Sequence, residues 1–152
     1  MDNLIKALAD KLGDNAIIKD SDVQYTVQMQ DFLLMVHKLE SSSQLLLCTS
    51  IAPVPEHNRQ KLYLRLLQGQ YFFQETAGAT LSVDNEEKFI ALQYVQHLSA
   101  LSPDVFINVV ERFMQAAQYW QEICMSFAND QTNTAQTDLS SDLDMLKFAM
   151  KV

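Results

Sequence analysis

Glycine is scarce in this chain, with 3 among 152 residues, and none stands in a GxGxxG, P-loop or GxSxG arrangement. A phosphate cradle and a nucleophile elbow both need backbone that glycine supplies, so cofactor-dependent and serine-hydrolase chemistry find no support. Cysteine occurs twice, as Cys48 and Cys124, each inside an apolar run where it is expected to act as a small buried hydrophobe. The histidines His37, His57 and His97 have no Cys, Asp or Glu beside them at ligand spacing, and no metal centre is expected. Positive charge is short as well: 11 Lys and Arg against 19 Asp and Glu leave a net charge of −8. That balance repels nucleic acid and anionic membranes. No run approaches the roughly 20 apolar residues of a membrane span. The opening MDNLIKALADKLG is an amphipathic pattern with charges of both signs, unlike the continuous apolar core of a signal peptide. The expectation is a cytoplasmic protein with reduced thiols, no cofactor and no membrane insertion.

What the chain does have is a 48% hydrophobic fraction beside 20% charged residues, enough for one real core. Leu4, Ile5, Leu8 and Leu12 recur at helical spacing and stop at Gly13. From Asp22 the period becomes two, with Val23, Tyr25, Val27 and Met29 alternating with a neutral polar face. The next strand, Phe32 to Leu39, is apolar on both sides, as in an inner strand or one whose outer face is covered by another chain. Gln44 to Ala52 reads as a third strand, ended by Pro53-Val54-Pro55. A helix is predicted from Glu56 to about Phe72, then short strands over Thr80 to Val83 and Lys88 to Val95 joined at Asp84-Asn85. Ser102-Pro103-Asp104 starts a long helix that ends near Ala128. The fold class is therefore α+β, in the order α-β-β-β-α-β-β-α, with a twisted, mainly antiparallel sheet packed by helices. Residues 1–128 form the domain, and 129–152 are expected to be a polar linker and a short helical tail.

Catalysis has little to build on. Glu86-Glu87 reads as a solvated edge, and Cys48 with His37 lacks an orienting acid. Binding has more. The stretch Leu62 to Asp84, LYLRLLQGQYFFQETAGATLSVD, carries apolar residues on more of its helix than one contact uses. Either the surplus fills the chain's own core, or it faces a partner.

This stretch, with LLLCTSIAPVP before it and EKFIALQYV after it, resembles the class I type III secretion chaperones, the Tir-chaperone family. In that family a double-leucine helix leads to a Gly-containing turn and a short Leu-x-x-Asp strand, here Leu66-Leu67, Ala77-Gly78 and Leu81 to Asp84. The chain departs from the pattern at Gly69-Gln70, where Asn is common, and at Ala77-Gly78, where Gly-Gly is common. The resemblance covers roughly residues 1–127. It implies a homodimer paired through Leu62, Leu66, Phe72, Phe73 and Leu81. It also implies a client, the N-terminal chaperone-binding segment of one or more secreted effectors. That segment would be held extended on Leu4, Ile5, Leu8, Leu12, Phe32, Leu34 and Val36 until the secretion ATPase removes it. The alternative is a regulatory protein of the same fold that sequesters a transcriptional regulator of the secretion system. Both are binding functions without catalysis.

Overall fold

In the computed structural model, which describes residues 1–129, a six-stranded antiparallel sheet has the order β1-β2-β3-β4-β6-β5. Its strands are β1 (Ile17–Lys19), β2 (Gln24–Met29), β3 (Phe32–Leu39), β4 (Gln44–Pro53), β5 (Thr80–Val83) and β6 (Phe89–His97). The helices are α1 (Asp2–Leu12), α2 (Arg59–Gly69) and α3 (Pro103–Asn129). The α+β class holds, but the element order gains β1. That strand has three residues paired as Ile17↔Val27 to Lys19↔Tyr25, too short to show a period of two in sequence.

Register decides which side chains make the core. Tyr25 and Val27 lie opposite Val36 and Leu34, Val36 lies opposite Leu47, and Leu47 lies opposite Tyr94. These positions share one face with Leu81, Ile90 and Leu92, and α1 and α3 cover that face with Leu4, Ile5, Leu8, Phe106, Val110 and Phe113. Each such side chain contributes about 1.5–3 kcal/mol by leaving water. A bulge between Ser50 and Ala52 turns β4 so that Ile51 and Ala52 are both buried.

The ends of the helices follow local chemistry. Gly13, at φ 93, closes α1 by donating its N–H to the Ala9 carbonyl at 2.7 Å. Ser102 caps α3, accepting the Val105 N–H on Oγ at 3.3 Å. Helix α2 begins at Arg59 and not near Glu56. The Val54 N–H pairs with the Lys88 carbonyl at 2.8 Å, keeping this stretch beside the sheet, and Asn58 turns left-handed at φ 60. It stops at Gly69, short of Phe72, because the chain tightens into a 3-10 turn over Tyr71–Phe73.

Gly69 sits where α2 meets α3. A Cβ there would overlap the ring of Trp120, which is fully buried. Replacing Gly69 with Ala is expected to destabilise the fold by about 1–3 kcal/mol through overpacking, despite alanine's better helix propensity. Urea unfolding followed by the fluorescence of Trp120, the one tryptophan of the chain, checks it. An unchanged or raised midpoint would show that the helices separate without cost.

Candidate functional site

The turn after α2 is held by one node. Arg65 stacks on the Trp120 ring, 4.8 Å from its centroid, and pairs with Glu75. Tyr119 Oη donates to Glu75 Oε2 at 3.0 Å, and Trp120 Nε1 donates to the Glu75 carbonyl at 2.9 Å. Gln70 Oε1 accepts the Leu81 N–H at 3.2 Å and so ties the turn to β5. Between these anchors Phe72, Phe73 and Ala77 are left-handed, at φ 54, 56 and 53. Non-glycine residues in that region cost about 1–3 kcal/mol each and persist only where the surroundings hold them.

The strain presents a ridge. Leu64, Leu67, Tyr71, Phe72 and Phe73 are 51% to 74% exposed, and the Tyr71 and Phe72 rings meet edge to face at 4.5 Å. Of the five residues expected at a dimer contact, Phe72 and Phe73 stand on this ridge. Leu62, Leu66 and Leu81 lie in the subunit's own core. Leu64 and Leu67, exposed on the same helix, were not among the five, because a helix with leucine on several faces does not announce which face is inward.

A second surface is the sheet face opposite the helices. Its positions are Ile18 on β1; Gln24, Thr26 and Gln28 on β2; Leu33, Met35, His37 and Leu39 on β3; Gln44, Leu46, Cys48 and Ser50 on β4; and Phe89, Ala91, Gln93, Val95 and His97 on β6, with Thr80 and Ser82 on β5. None is Asp, Glu, Lys or Arg. Ile18, Leu33, Phe89 and Val95 are exposed. An ordinary solvated sheet face carries charge, and a protein with net charge −8 has it to spare.

The expected client residues fall elsewhere. Phe32, Leu34 and Val36 point inward, with Leu34 and Val36 at 0% exposure, and Leu4, Ile5 and Leu8 are buried against them. Leu12 alone of the seven reaches the surface. With Met29, Phe32 and Met114 it lines a groove of about 360 Å³, beside the Lys11–Glu111 ion pair at the junction of α1, the sheet and α3.

Two carboxylates are structural. Asp84 Oδ1 accepts the N–H groups of Lys88 at 2.6 Å and Phe89 at 2.7 Å, which closes the β5–β6 hairpin and holds its carboxyl below the usual range. Glu87 accepts from Arg59 and the Tyr63 hydroxyl, while Glu86 pairs with Lys88. Cys48 and His37 share the outer sheet face as diagonal neighbours, since Cys48 lies opposite Met35 and His37 opposite Leu46. Burial pushes the Cys48 thiol up, away from the thiolate a nucleophile needs. Among the described residues no group of three or more His, Cys, Asp or Glu could hold a metal ion, and no helix is long and apolar enough to cross a membrane.

An antiparallel sheet covered by helices on one face and left neutral on the other, with an aromatic ridge at one end, defines a binding module. Residues 3–121 match the model of the Tir chaperone protein (CesT) family, and the chain belongs to that family. It is 25% identical over 122 residues to the Chlamydia pneumoniae protein CPj0713/CpB0740, covering 79% of this chain and 92% of that one. Among solved structures it is similar to a chain of the ExsC–ExsE complex, with a TM-score of 0.67 at 14% identity over 80% of this chain and 90% of that one. A chain of the heterodimeric ExoU–SpcU complex from the type III secretion system of Pseudomonas aeruginosa gives 0.60 at 18%, over 82% and 96%. A chain of the HopA1–SchA chaperone–effector complex gives 0.59 at 16%, over 84% and 91%.

The node is pH-sensitive in a defined direction. The hydrogen bond from Arg65, with that from Tyr119, lowers the Glu75 carboxyl below its ordinary value. A depressed carboxylate contributes stability that is present above its unfolded value near ~4.3 and is lost as pH falls through the folded value. Thermal stability is therefore expected to fall below about pH 4, and Glu75→Gln, which removes this contribution, is expected to be less stable at pH 7 and to decline less steeply under acid. Parallel acid slopes for the two proteins would place the sensitivity elsewhere.

Proposed function

We propose that this protein is a homodimeric secretion chaperone that holds the non-globular N-terminal segment of one or more effectors in the bacterial cytoplasm, without catalysis. The observation that carries the reading is the neutral outer sheet face, in a member of a chaperone family whose net charge is −8. Desolvating charge is costly, whereas apolar, amide and hydroxyl groups are covered cheaply, so this face suits repeated covering by an extended chain. The Leu12 groove takes an apolar side chain of the same segment, and β1, the edge strand among the described residues, offers backbone pairing. Release falls to the secretion ATPase, since nothing in the binding surfaces is built to expel the client.

Dimerisation uses the aromatic ridge. Its five large side chains supply the buried centre an interface needs, and the strained turn fixes them before contact, which lowers the entropy lost on association. Leu67→Glu is expected to raise the dimer dissociation constant by roughly a hundredfold or more, since a desolvated leucine gives way to a charge. Analytical ultracentrifugation reads this directly. A dimer of unchanged affinity would remove the ridge from the interface.

The client surface is tested apart from the dimer. Met35→Asp and Leu12→Asp are each expected to cut recovery of a co-expressed effector by about tenfold while the dimer persists. Wild-type recovery with both variants would sink the placement. Recovery of a transcriptional regulator in place of a secreted protein would favour the regulatory alternative.

A further inference from the structure

Of the arginines in the chain, Arg59 is held by Glu87 and Arg65 by Glu75, whereas Arg112 has no carboxylate partner among the described residues. It stands exposed on α3 and lines a cavity of about 40 Å³ between that helix, β6 and the turn after α2. One water needs roughly 10–15 Å³ of such space, so the cavity admits a group of a few atoms. Thr76 lies in its wall at 0% exposure, and the Thr76 Oγ1 has no hydrogen-bond partner among the described residues. A buried hydroxyl in this state costs free energy that a ligand oxygen would return. Tyr94 lines the cavity as well. Its Oη accepts from Gln96 Nε2, which leaves its own proton to donate. Gly78 lets the turn close on that ring, since a Cβ there would come within 3.2 Å of it. The polar side chains of this lining can all donate, and no carboxylate stands among them.

We propose that the cavity of Thr76, Tyr94 and Arg112 binds the carboxylate of an Asp or Glu side chain in the client segment. The proposal rests on the reading of the chain as a holder of an extended segment, and it gives that segment a register. Donor chemistry selects the ligand. The planar guanidinium fork matches the two oxygens of a carboxylate, and the hydroxyls supply further donors, whereas a cation finds no charged acceptor there. Continuity selects the source. Past Arg112 and Ala77 the cavity adjoins an open groove of about 440 Å³ flanked by Gln74 and Gln115. Glu75 also lines this groove, but its charge is taken up by Arg65 and Tyr119. Gln115 lines the Leu12 groove too, so the two grooves adjoin on α3. A segment with an apolar side chain beside Leu12 therefore continues over Gln115 to Arg112, where Ala77 and Ala116 leave room for its backbone. Charge sets the selectivity. A protein of net charge −8 opposes acidic segments in general, and a single unpaired arginine admits an acid at one position only.

The experiment titrates the isotope-labelled full-length chain with N-acetylglutamate N-methylamide, following the Arg112 Nε–H and the Ala77 and Gly78 amides by NMR at constant ionic strength. The probe is expected to saturate with a dissociation constant on the order of 10 mM. Its glutamine counterpart, of the same shape without the charge, is expected to bind at least about tenfold more weakly. Arg112→Gln, at an exposed position, is expected to abolish saturation. Arg112→Lys keeps the charge without the fork and is expected to weaken binding roughly tenfold. Thr76→Val keeps the shape of the wall and removes the hydroxyl, so it is expected to weaken binding roughly fivefold while raising the urea midpoint of the free protein. Equal binding of the two probes, saturation retained in Arg112→Gln, or unchanged affinity in Thr76→Val overturns the proposal. Acetate binding as tightly as the glutamate probe also overturns it, assigning the cavity to small free carboxylates. No effector enters this titration, so failure of the chaperone reading, seen when the wild type retains no co-expressed effector, is read separately.

Discussion

The packing of Trp120 on Gly69 sets most of what is distinctive about this molecule. It brings α2 against α3 at a distance only a glycine allows, with Arg65 stacked on the indole and the indole N–H on the Glu75 carbonyl. Once Glu75 is fixed from three directions, the chain between Gln70 and Gly78 has few conformations left. Phe72, Phe73 and Ala77 are held left-handed because the anchors on both sides forbid relaxation. A relaxed turn would let the aromatic rings fold back toward apolar cover. The node thus accounts for the exposure of the ridge, and the departure from the family pattern at Gly69-Gln70 falls on two of its working parts, the packing glycine and the side chain that receives the Leu81 N–H.

The elements with a clear period were legible in sequence: α1, β2, β4, the β5–β6 hairpin and α3 all fall close to where spacing, caps and turn residues put them. Helix α2 was shorter than its pattern, because an apolar pattern runs on through Phe72 while the backbone turns at Asn58 and tightens after Gly69. Strand β1 was invisible because three residues carry no period.

Which of the expected site residues reach the surface was less legible than the fold, for a related reason. Strand β3, FLLMVHKL, is apolar on both faces, so alternation cannot say which set is inward. Parity is settled by what packs against the sheet, information held in α1 and α3 and not in β3. Choosing Phe32, Leu34 and Val36 selected the core set; the accessible set on the same strand is Leu33 and Met35 with their cross-strand neighbours Gln28, Thr26 and Cys48. The same ambiguity divided the residues of α2, where Leu62 and Leu66 turned inward and Leu64 and Leu67 outward. One sequence signal did mark the outer face in advance, the neutral Gln and Thr of β2, which are polar without being charged.

Neutrality of that face makes sense only beside the acidity of the rest. A sheet surface with exposed Leu33 and Val95, bounded among the described residues by the edge strands β1 and β5, invites edge-to-edge association. Charge placed on the face would prevent it and would also exclude a partner that needs to be desolvated there. Charge placed elsewhere does the first without the second. Among the described residues the acidic side chains lie in α1, the loops, the hairpin tip and the outer positions of α3, where they repel like charge within a Debye length of about 8 Å. Short-range contact with a neutral apolar segment is untouched by that repulsion. A basic or neutral flexible chain can approach such a face, whereas a second acidic copy meets long-range opposition.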